Sequence, residues 1–164
     1  MSKTEQNLND AFAGESQANR KYLAYAKQAD KEGYTQVAKL FRAAAAAETV
    51  HAHSHFNVAG GVGSTAENLK DAVTGETHEF KSMYPQMIED ARKEGATKAE
   101  QGFIYANEVE KVHAGLYQKA MDNLDSLETT DYYVCSVCGY TCEKEPPGKC
   151  PVCGAAAKAF SKVD

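Results

Sequence analysis

Glu48-Thr49-Val50-His51 and Glu110-Lys111-Val112-His113 repeat one spacing, a carboxylate and an imidazole three residues apart and hence on one face of a helix. Each copy belongs to a longer repeat. Gly14-Glu15 precedes the first and Gly75-Glu76 the second, with Lys31-Glu32-Gly33 and Lys93-Glu94-Gly95 between. From that Gly to the Glu of Glu-x-x-His is fifteen residues in both halves (33 to 48, 95 to 110). From the earlier Glu to the Gly is eighteen in one (15 to 33) and nineteen in the other (76 to 95). A helical hairpin is thus written twice, with one Glu on its first helix and Glu-x-x-His on its second. Four-helix bundles hold a pair of iron or manganese ions in this way, with a Glu from each of two helices and Glu-x-x-His from each of the others. Carboxylate oxygen and imidazole nitrogen suit those metals better than thiophilic ones.

A single Glu on a helix belongs on a solvated face. Four Glu and two His turned toward one another are different, because buried carboxylates are very costly unless paired or bound to metal. Glu79 breaks the symmetry. It stands three residues after Glu76, whereas the residue three after Glu15 is Ala18. A seventh candidate ligand therefore enters from one side only, and one ion could exchange partners with oxidation state. His55 lies one turn beyond His51 on the same stripe, while His53 and His78 point away from the neighbouring ligands by helical phase.

The elements that must position these groups are legible as four long helices. Residues 4–32 carry Leu8, Ala11, Phe12, Ala18, Tyr22, Tyr25, Ala26 and Ala29 at helical spacing. Ser2-x-x-Glu5 is a capping box at the start, and Gly33 ends the helix. The second helix is expected from Thr35 to Ala59, before Gly60-Gly61-Val62-Gly63. The third follows the capping box Ser64-x-x-Glu67 and runs to Gly95, interrupted at Gly75 and Pro85 and bent near the proline. The fourth begins at the capping box Thr97-x-x-Glu100 and continues to about Ser126. The run Ala43–Ala47 is helix-favouring filler that also permits close packing. Glu15 and Glu76 lie about 11 residues into their helices and Glu48 and Glu110 about 13, which puts all four within ~3 Å of one level. The expected fold class is an all-α four-helix bundle of ferritin-like type, with one long crossover between helices 2 and 3 so that like ends meet.

After Leu127 the texture changes. Glu128-Thr129-Thr130-Asp131 is a polar linker, and all five cysteines lie between 135 and 153. The expected domains are 1–128, helical, and 129–164, a small knuckle module. Cys135-x-x-Cys138-Gly139 and Cys150-x-x-Cys153-Gly154 are two Cys-x-x-Cys-Gly knuckles. Four thiolates at such spacing form a tetrahedral site for iron or zinc. A zinc ribbon is the alternative for an isolated module, but beside a diiron cluster an Fe(Cys)4 centre supplies electrons that zinc cannot. Cys142 falls outside the knuckles and is expected to be a free thiol.

The chain of 164 residues carries a formal charge of -5 without a basic cluster, which argues against nucleic acid as a partner. No apolar run approaches the ~18 residues of a transmembrane helix, and Met1-Ser2-Lys3-Thr4-Glu5-Gln6-Asn7 is no secretory signal. A cytoplasmic protein with no membrane partner is expected.

The chain resembles the rubrerythrins over essentially its whole length. The resemblance rests on Gly14-Glu15-Ser16-Gln17-Ala18, both Glu-x-x-His motifs, Gly75-Glu76-x-x-Glu79, Met83-Tyr84-Pro85 and the cysteine pairs. It implies that Glu15, Glu48, Glu76, Glu79, Glu110 and His113 bind a diferric cluster, with Glu48 and Glu110 bridging. His51 would replace Glu79 on one iron in the diferrous state, and Tyr22 and Tyr84 match family tyrosines near the cluster. It further implies reduction of hydrogen peroxide to water. Electrons would come from a donor protein, a rubredoxin or an NAD(P)H-dependent reductase, through a rubredoxin-like tail with an aromatic core of Tyr132, Tyr133, Tyr140 and Phe160. The cofactors implied are two iron ions in the bundle and one in the cysteine site, with zinc a substitute in either. A non-enzymatic iron-storage (ferroxidase) protein and a zinc-ribbon interaction protein on the same scaffold are the competing functions.

Glu110 lies about 16 residues before the end of the last helix, ~24 Å along its axis. The short polar linker does not guarantee a return along that length, so electron transfer within one chain is expected to be inefficient. A head-to-tail homodimer, with the further option of exchanged helical hairpins, would bring each tail to the other chain's cluster.

Overall fold

A computed structural model describes all residues, Met1–Asp164. It divides into two compact units, Met1–Gly63 and Ser64–Asp164. The first is a hairpin of α1 (Lys3–Lys31) and α2 (Thr35–Val58). Ser2 caps α1 by accepting from the Glu5 amide while Glu5 accepts from the Ser2 amide at 2.6 Å, the reciprocal capping box expected. The residues buried in the hairpin are small: Ala26, Ala29, Ala38, Ala45 and Ala52. Alanine at these positions lets two helix backbones approach closely without a cost in helix propensity. The buried polar side chain is Asn19, 8% exposed, whose Nδ2 donates to Ala45 O at 2.7 Å and to Thr49 Oγ1 at 2.9 Å. This bridge lies one turn past Glu15 on α1 and one turn before Glu48 on α2, so it fixes the relative height of the two carboxylates.

In the second unit the third helix is built in three pieces: α3 (Thr65–His78), a π-helical turn (Glu79–Met83) and α4 (Tyr84–Lys93). Ser64 and Glu67 form the expected capping box. Gly75 does not interrupt the helix; it is an internal residue of α3. Nor does Pro85 end it: the proline stands at the start of α4, directly after a wider turn that carries the helix through. The irregularity is the wider turn just before it, in which the Tyr84 amide reaches back five residues to Glu79 O.

Helix α5 (Thr97–Asp122) packs against both α3 and α4. Its start corrects the third capping box. The Glu100 amide bonds Ala96 O at 2.9 Å, so helical geometry begins one residue early and Thr97 is inside it. The Glu100 carboxylate is taken by Arg92 Nε at 2.8 Å instead. At its other end α5 stops at Asp122, four residues short of the expected end.

The tail is a three-stranded antiparallel sheet in the order β2-β1-β3, from β1 (Tyr132–Cys135), β2 (Thr141–Glu143) and β3 (Phe160–Val163). Tyr140 and Phe160 meet edge to face at 6.3 Å, part of the expected aromatic core. Between α2 and α3 lie Ala59–Ser64 alone, six residues by their numbers. No helix is long and apolar enough to cross a membrane.

Candidate metal centres

In the first unit Glu15, Glu48 and His51 form a cluster whose candidate ligand atoms all lie within 4.8 Å of one another. His51 Nδ1 is 2.9 Å from Glu48 Oε2 and 3.8 Å from Glu15 Oε1. In the second unit Glu76, Glu110 and His113 form the counterpart. His113 Nδ1 is 2.7 Å from Glu110 Oε2 and 3.7 Å from Glu76 Oε1. The sequence repeat is thus a repeat of geometry, with the same ring nitrogen turned to the same two carboxylates.

These carboxylates are strained by one another. A hydrogen bond shared with Glu48 holds the Glu15 carboxyl above its usual range, with burial adding to it. Glu48 is held below that range by hydrogen bonds from Glu15 and His51. Burial, then the hydrogen bond and the charge of Glu110, push Glu76 up to about 7. In each cluster two facing carboxylates oppose one another's ionisation, which a bound cation would relieve. The donor sets therefore fit a hard or borderline metal ion with carboxylate and imidazole ligands.

Glu79 stands beside this second cluster rather than in it. Burial and the charge of Glu110 raise its carboxyl, and His78 and His113 lower it, so it senses two members of that cluster. It is also the first residue of the π-turn, a placement common for functional groups. Burial and the charges of Glu110, Glu79 and Glu76 push the Tyr84 phenol up, so Tyr84 faces the same carboxylates. Tyr22 instead joins Tyr25 and Phe41 in an aromatic cluster, with ring centroids 6.3 and 6.2 Å away. His55 contributes its charge at Glu15. Asn107, the repeat counterpart of Ala45, has a buried Oδ1 with no hydrogen-bond partner one turn before Glu110.

The four knuckle cysteines converge as expected. Cys135 Sγ is 3.7 Å from Cys153 Sγ, and Cys138 Sγ is 3.6 Å from Cys150 Sγ. A disulfide needs about 2.05 Å, whereas the edge of a tetrahedron with ~2.3 Å metal–sulfur bonds is ~3.8 Å. Both knuckles close in the same way: Gly139 N bonds Cys135 O at 2.8 Å and Gly154 N bonds Cys150 O at 3.0 Å. Both glycines have positive φ, 86° and 77°, which an L side chain rarely adopts. Burial pushes Cys138 up to about 12, while at Cys150 the backbone amides of Cys153 and Val152 outweigh burial and bring it down to about 7. Cys142, on the edge strand β2, is apart from this set, its Sγ 3.6 Å from Glu145 O just beyond the strand.

The tail returns to the ligand level of its own chain, which overturns the expectation drawn from the ~24 Å of helix beyond Glu110. His113 Nε2 is 3.0 Å from Thr141 Oγ1 on β2. A Cβ placed on Gly139 would lie 3.8 Å from Val109 Cγ1 on α5, and Lys119 Nζ binds both Glu143 oxygens at 2.8 and 2.7 Å. Sequence reasoning missed Thr141 and Asn19 because both act across long separations, 28 residues to His113 and 26 to Ala45.

Comparison with known proteins agrees with these centres. The Rubrerythrin family model matches residues 6–121, and that of the rubrerythrin rubredoxin-like domain matches residues 133–161. Rubrerythrin-2 of Clostridium acetobutylicum is 39% identical, covering 93% of this chain and 92% of its own. Nigerythrin of Nitratidesulfovibrio vulgaris is 35% identical over 96% of this chain and 85% of its own. The solved structure of fully reduced, all-ferrous nigerythrin covers 99% of this chain and 88% of its own, with a TM-score of 0.61 at 34% identity. Four helices in a ferritin-like helical domain followed by a small cysteine-bearing strand module are common to both. With both family models matched in order along one chain, and relatives above 30% identity across nearly all of it, the chain belongs to the rubrerythrin family.

Proposed function

We propose that the protein is a cytoplasmic non-haem diiron peroxidase that reduces hydrogen peroxide to water, with electrons relayed through an Fe(Cys)4 centre in its tail. The family is one of oxidoreductases that carry a diiron site and a rubredoxin-like domain. The observation that carries the finer reading is the contact of the four-cysteine module, through Thr141, with His113, a member of one of the two Glu–Glu–His clusters. An iron-storage protein has no use for that contact, and a zinc ribbon no use for its position.

Glu15, Glu48, Glu76, Glu79, Glu110 and His113 would hold the oxidised iron pair, with His51 taking the place of Glu79 on reduction. A ferrous pair, when bound, supplies the two electrons that cleave the O–O bond. The balance is one hydrogen peroxide, two protons and two electrons to two waters. The chain's own groups manage the protons. Tyr84 stays a neutral phenol because burial, and then the surrounding carboxylates, oppose its ionisation, so it can donate a hydrogen bond toward the cluster. Glu76, held near 7 in the metal-free chain, would give up its proton on taking up the metal.

Both clusters would be brought together by a homodimer that exchanges hairpins. The six residues Ala59–Ser64 reach at most ~20 Å, while α2, with 24 residues, is ~36 Å long. A ferritin-like order needs a connection that traverses the helix length, so a second copy would supply the facing hairpin. Exposed Val37, Leu40 and Val50 on α2 offer apolar surface for such a partner. The head-to-tail arrangement is no longer needed for electron transfer.

The test is anaerobic reduction of iron-loaded protein followed by peroxide, with the diiron and Fe(Cys)4 absorption followed together. Both chromophores should oxidise, two electrons being consumed per peroxide. An Fe(Cys)4 spectrum that stays reduced while peroxide is consumed would remove the relay.

A further inference from the structure

Resting on that relay, we infer that Thr141 is a positioning residue that couples the cysteine module to the cluster ligand His113 within one chain. The hydroxyl of Thr141 has one proton and two acceptor lone pairs. Its Oγ1 lies 3.2 Å from Gly139 O, a carbonyl that can only accept, so the proton goes there. Toward His113 Nε2, at 3.0 Å, the hydroxyl must then accept. Nε2 of His113 therefore carries a proton, which leaves Nδ1, turned to Glu110 and Glu76, as the ring nitrogen that a metal ion between them would take. An outer hydrogen-bond partner that sets the tautomer and orientation of a ligating histidine in this way is a general device of metal sites.

The same hydroxyl closes a continuous path. From the His113 ring it runs through Thr141 Oγ1 to the Gly139 carbonyl, and from there along two residues of backbone to Cys138 Sγ. Gly139 is the glycine of the knuckle, and it lies against Val109, one residue before Glu110. Thr141 is not free to leave this position. Its strand is paired with β1, Val134 opposite Thr141, and the far end of β2 is clamped to α5 by Glu143 and Lys119. Beside the contact lies a cavity of about 340 Å³ lined by Leu69, Leu116, Tyr117, Ala120 and Tyr132 along with His113 and Thr141. Each electron passing along the path would leave the four-thiolate iron oxidised by one unit. An external donor protein must therefore re-reduce it twice per peroxide.

Thr141→Val removes the hydroxyl at nearly constant shape, and Thr141→Ser keeps it. In protein loaded with redox-silent zinc, nuclear magnetic resonance should show a slowly exchanging Nε2 proton on His113 in the wild type and the serine variant. That proton should be lost in the valine variant. Zinc affinity of the helical site should fall about tenfold in the valine variant and hold in the serine variant, as for other outer partners of ligating histidines. In iron-loaded protein, peroxide-driven reoxidation of Fe(Cys)4 should likewise slow by about tenfold or more in the valine variant alone. Thr141→Ala gives the same comparison should the valine variant not fold. A valine variant with an unchanged Nε2 proton and unchanged reoxidation overturns the proposal, as does a serine variant that fails to restore both. If the pre-reduced wild-type cluster itself does not react with peroxide, the peroxidase reading fails. The zinc-loaded measurements still decide the role of Thr141.

Discussion

Glu76 shares a hydrogen bond with Glu110, and that contact together with burial holds its carboxyl up to about 7. The unfolded chain releases the same proton near its ordinary value of 4.5. Between these values the folded, metal-free chain binds the extra proton, so its stability falls as pH rises through the window. Metal uptake must expel that proton and should strengthen over the same range. Urea midpoints of metal-free protein between pH 5 and pH 8 are expected to decline, with Glu76→Gln flattening the curve; a midpoint that rises with pH in the wild type would contradict the shared proton.

Glu79 is the ligand candidate without a counterpart in the first hairpin, where Ala18 stands. Glu79→Ala should leave the fold and two-metal binding intact while weakening the ferric state more than the ferrous, by about tenfold or more in relative affinity. The cluster potential should therefore rise. Redox titration of both proteins checks the direction, and an unchanged potential would mean that Glu79 never reaches the metal.

Exchange of hairpins makes a prediction that no unexchanged dimer shares. A Glu15→Ala chain and a His113→Ala chain each spoil every site in their own homodimers. Mixed by refolding, they would form heterodimers in which one of two sites combines two intact hairpins. About a quarter of wild-type sites should return, from half heterodimers with half their sites whole. Iron content and peroxide consumption of the mixture measure this, and no recovery at all would exclude exchange.

Asn19 ties α1 to α2 through Ala45 O and Thr49 Oγ1. Asn19→Ala leaves the Ala45 carbonyl with the Thr49 hydroxyl as side-chain partner and should cost about 1–2 kcal/mol. Thermal unfolding should show the loss in the helical domain, with the Fe(Cys)4 spectrum unaltered.

Cys142→Ser should keep that spectrum too, because its sulfur stands outside the tetrahedron. Cys138→Ser should abolish it. A bleached spectrum in Cys142→Ser would show the fifth thiol competing for the metal.

Local chemistry was what the sequence disclosed. Ser2-x-x-Glu5 and Ser64-x-x-Glu67 cap where their spacing says they should, and four cysteines at knuckle spacing converge. Thr97-x-x-Glu100 has the same pattern and fails, because Arg92, outside the motif, takes the carboxylate. The His113–Thr141 contact has no local signature at all: it depends on how the linker turns back after α5, which no periodicity records. The division of the third helix was half visible. Pro85 marks the neighbourhood of the irregularity, but the wider turn at Glu79–Met83 that accommodates it has no signature of its own.

The nineteen residues from Glu76 to Gly95, against eighteen from Glu15 to Gly33, are the trace of that division. One residue inserted into an α-helix swings everything beyond it by about 100°. The wider turn at Glu79–Met83 takes in one residue and leaves α4 in phase with α3 against α5. Duplicated halves of a gene can in this way diverge in length without repacking, and the gap in their alignment belongs at residues 79–83. Glu79, the acidic residue with no twin, is where that insertion begins. In related genes, the count of codons between the Gly-Glu and Lys-Glu-Gly motifs of the second half should then mark which proteins carry the insertion and the extra ligand with it.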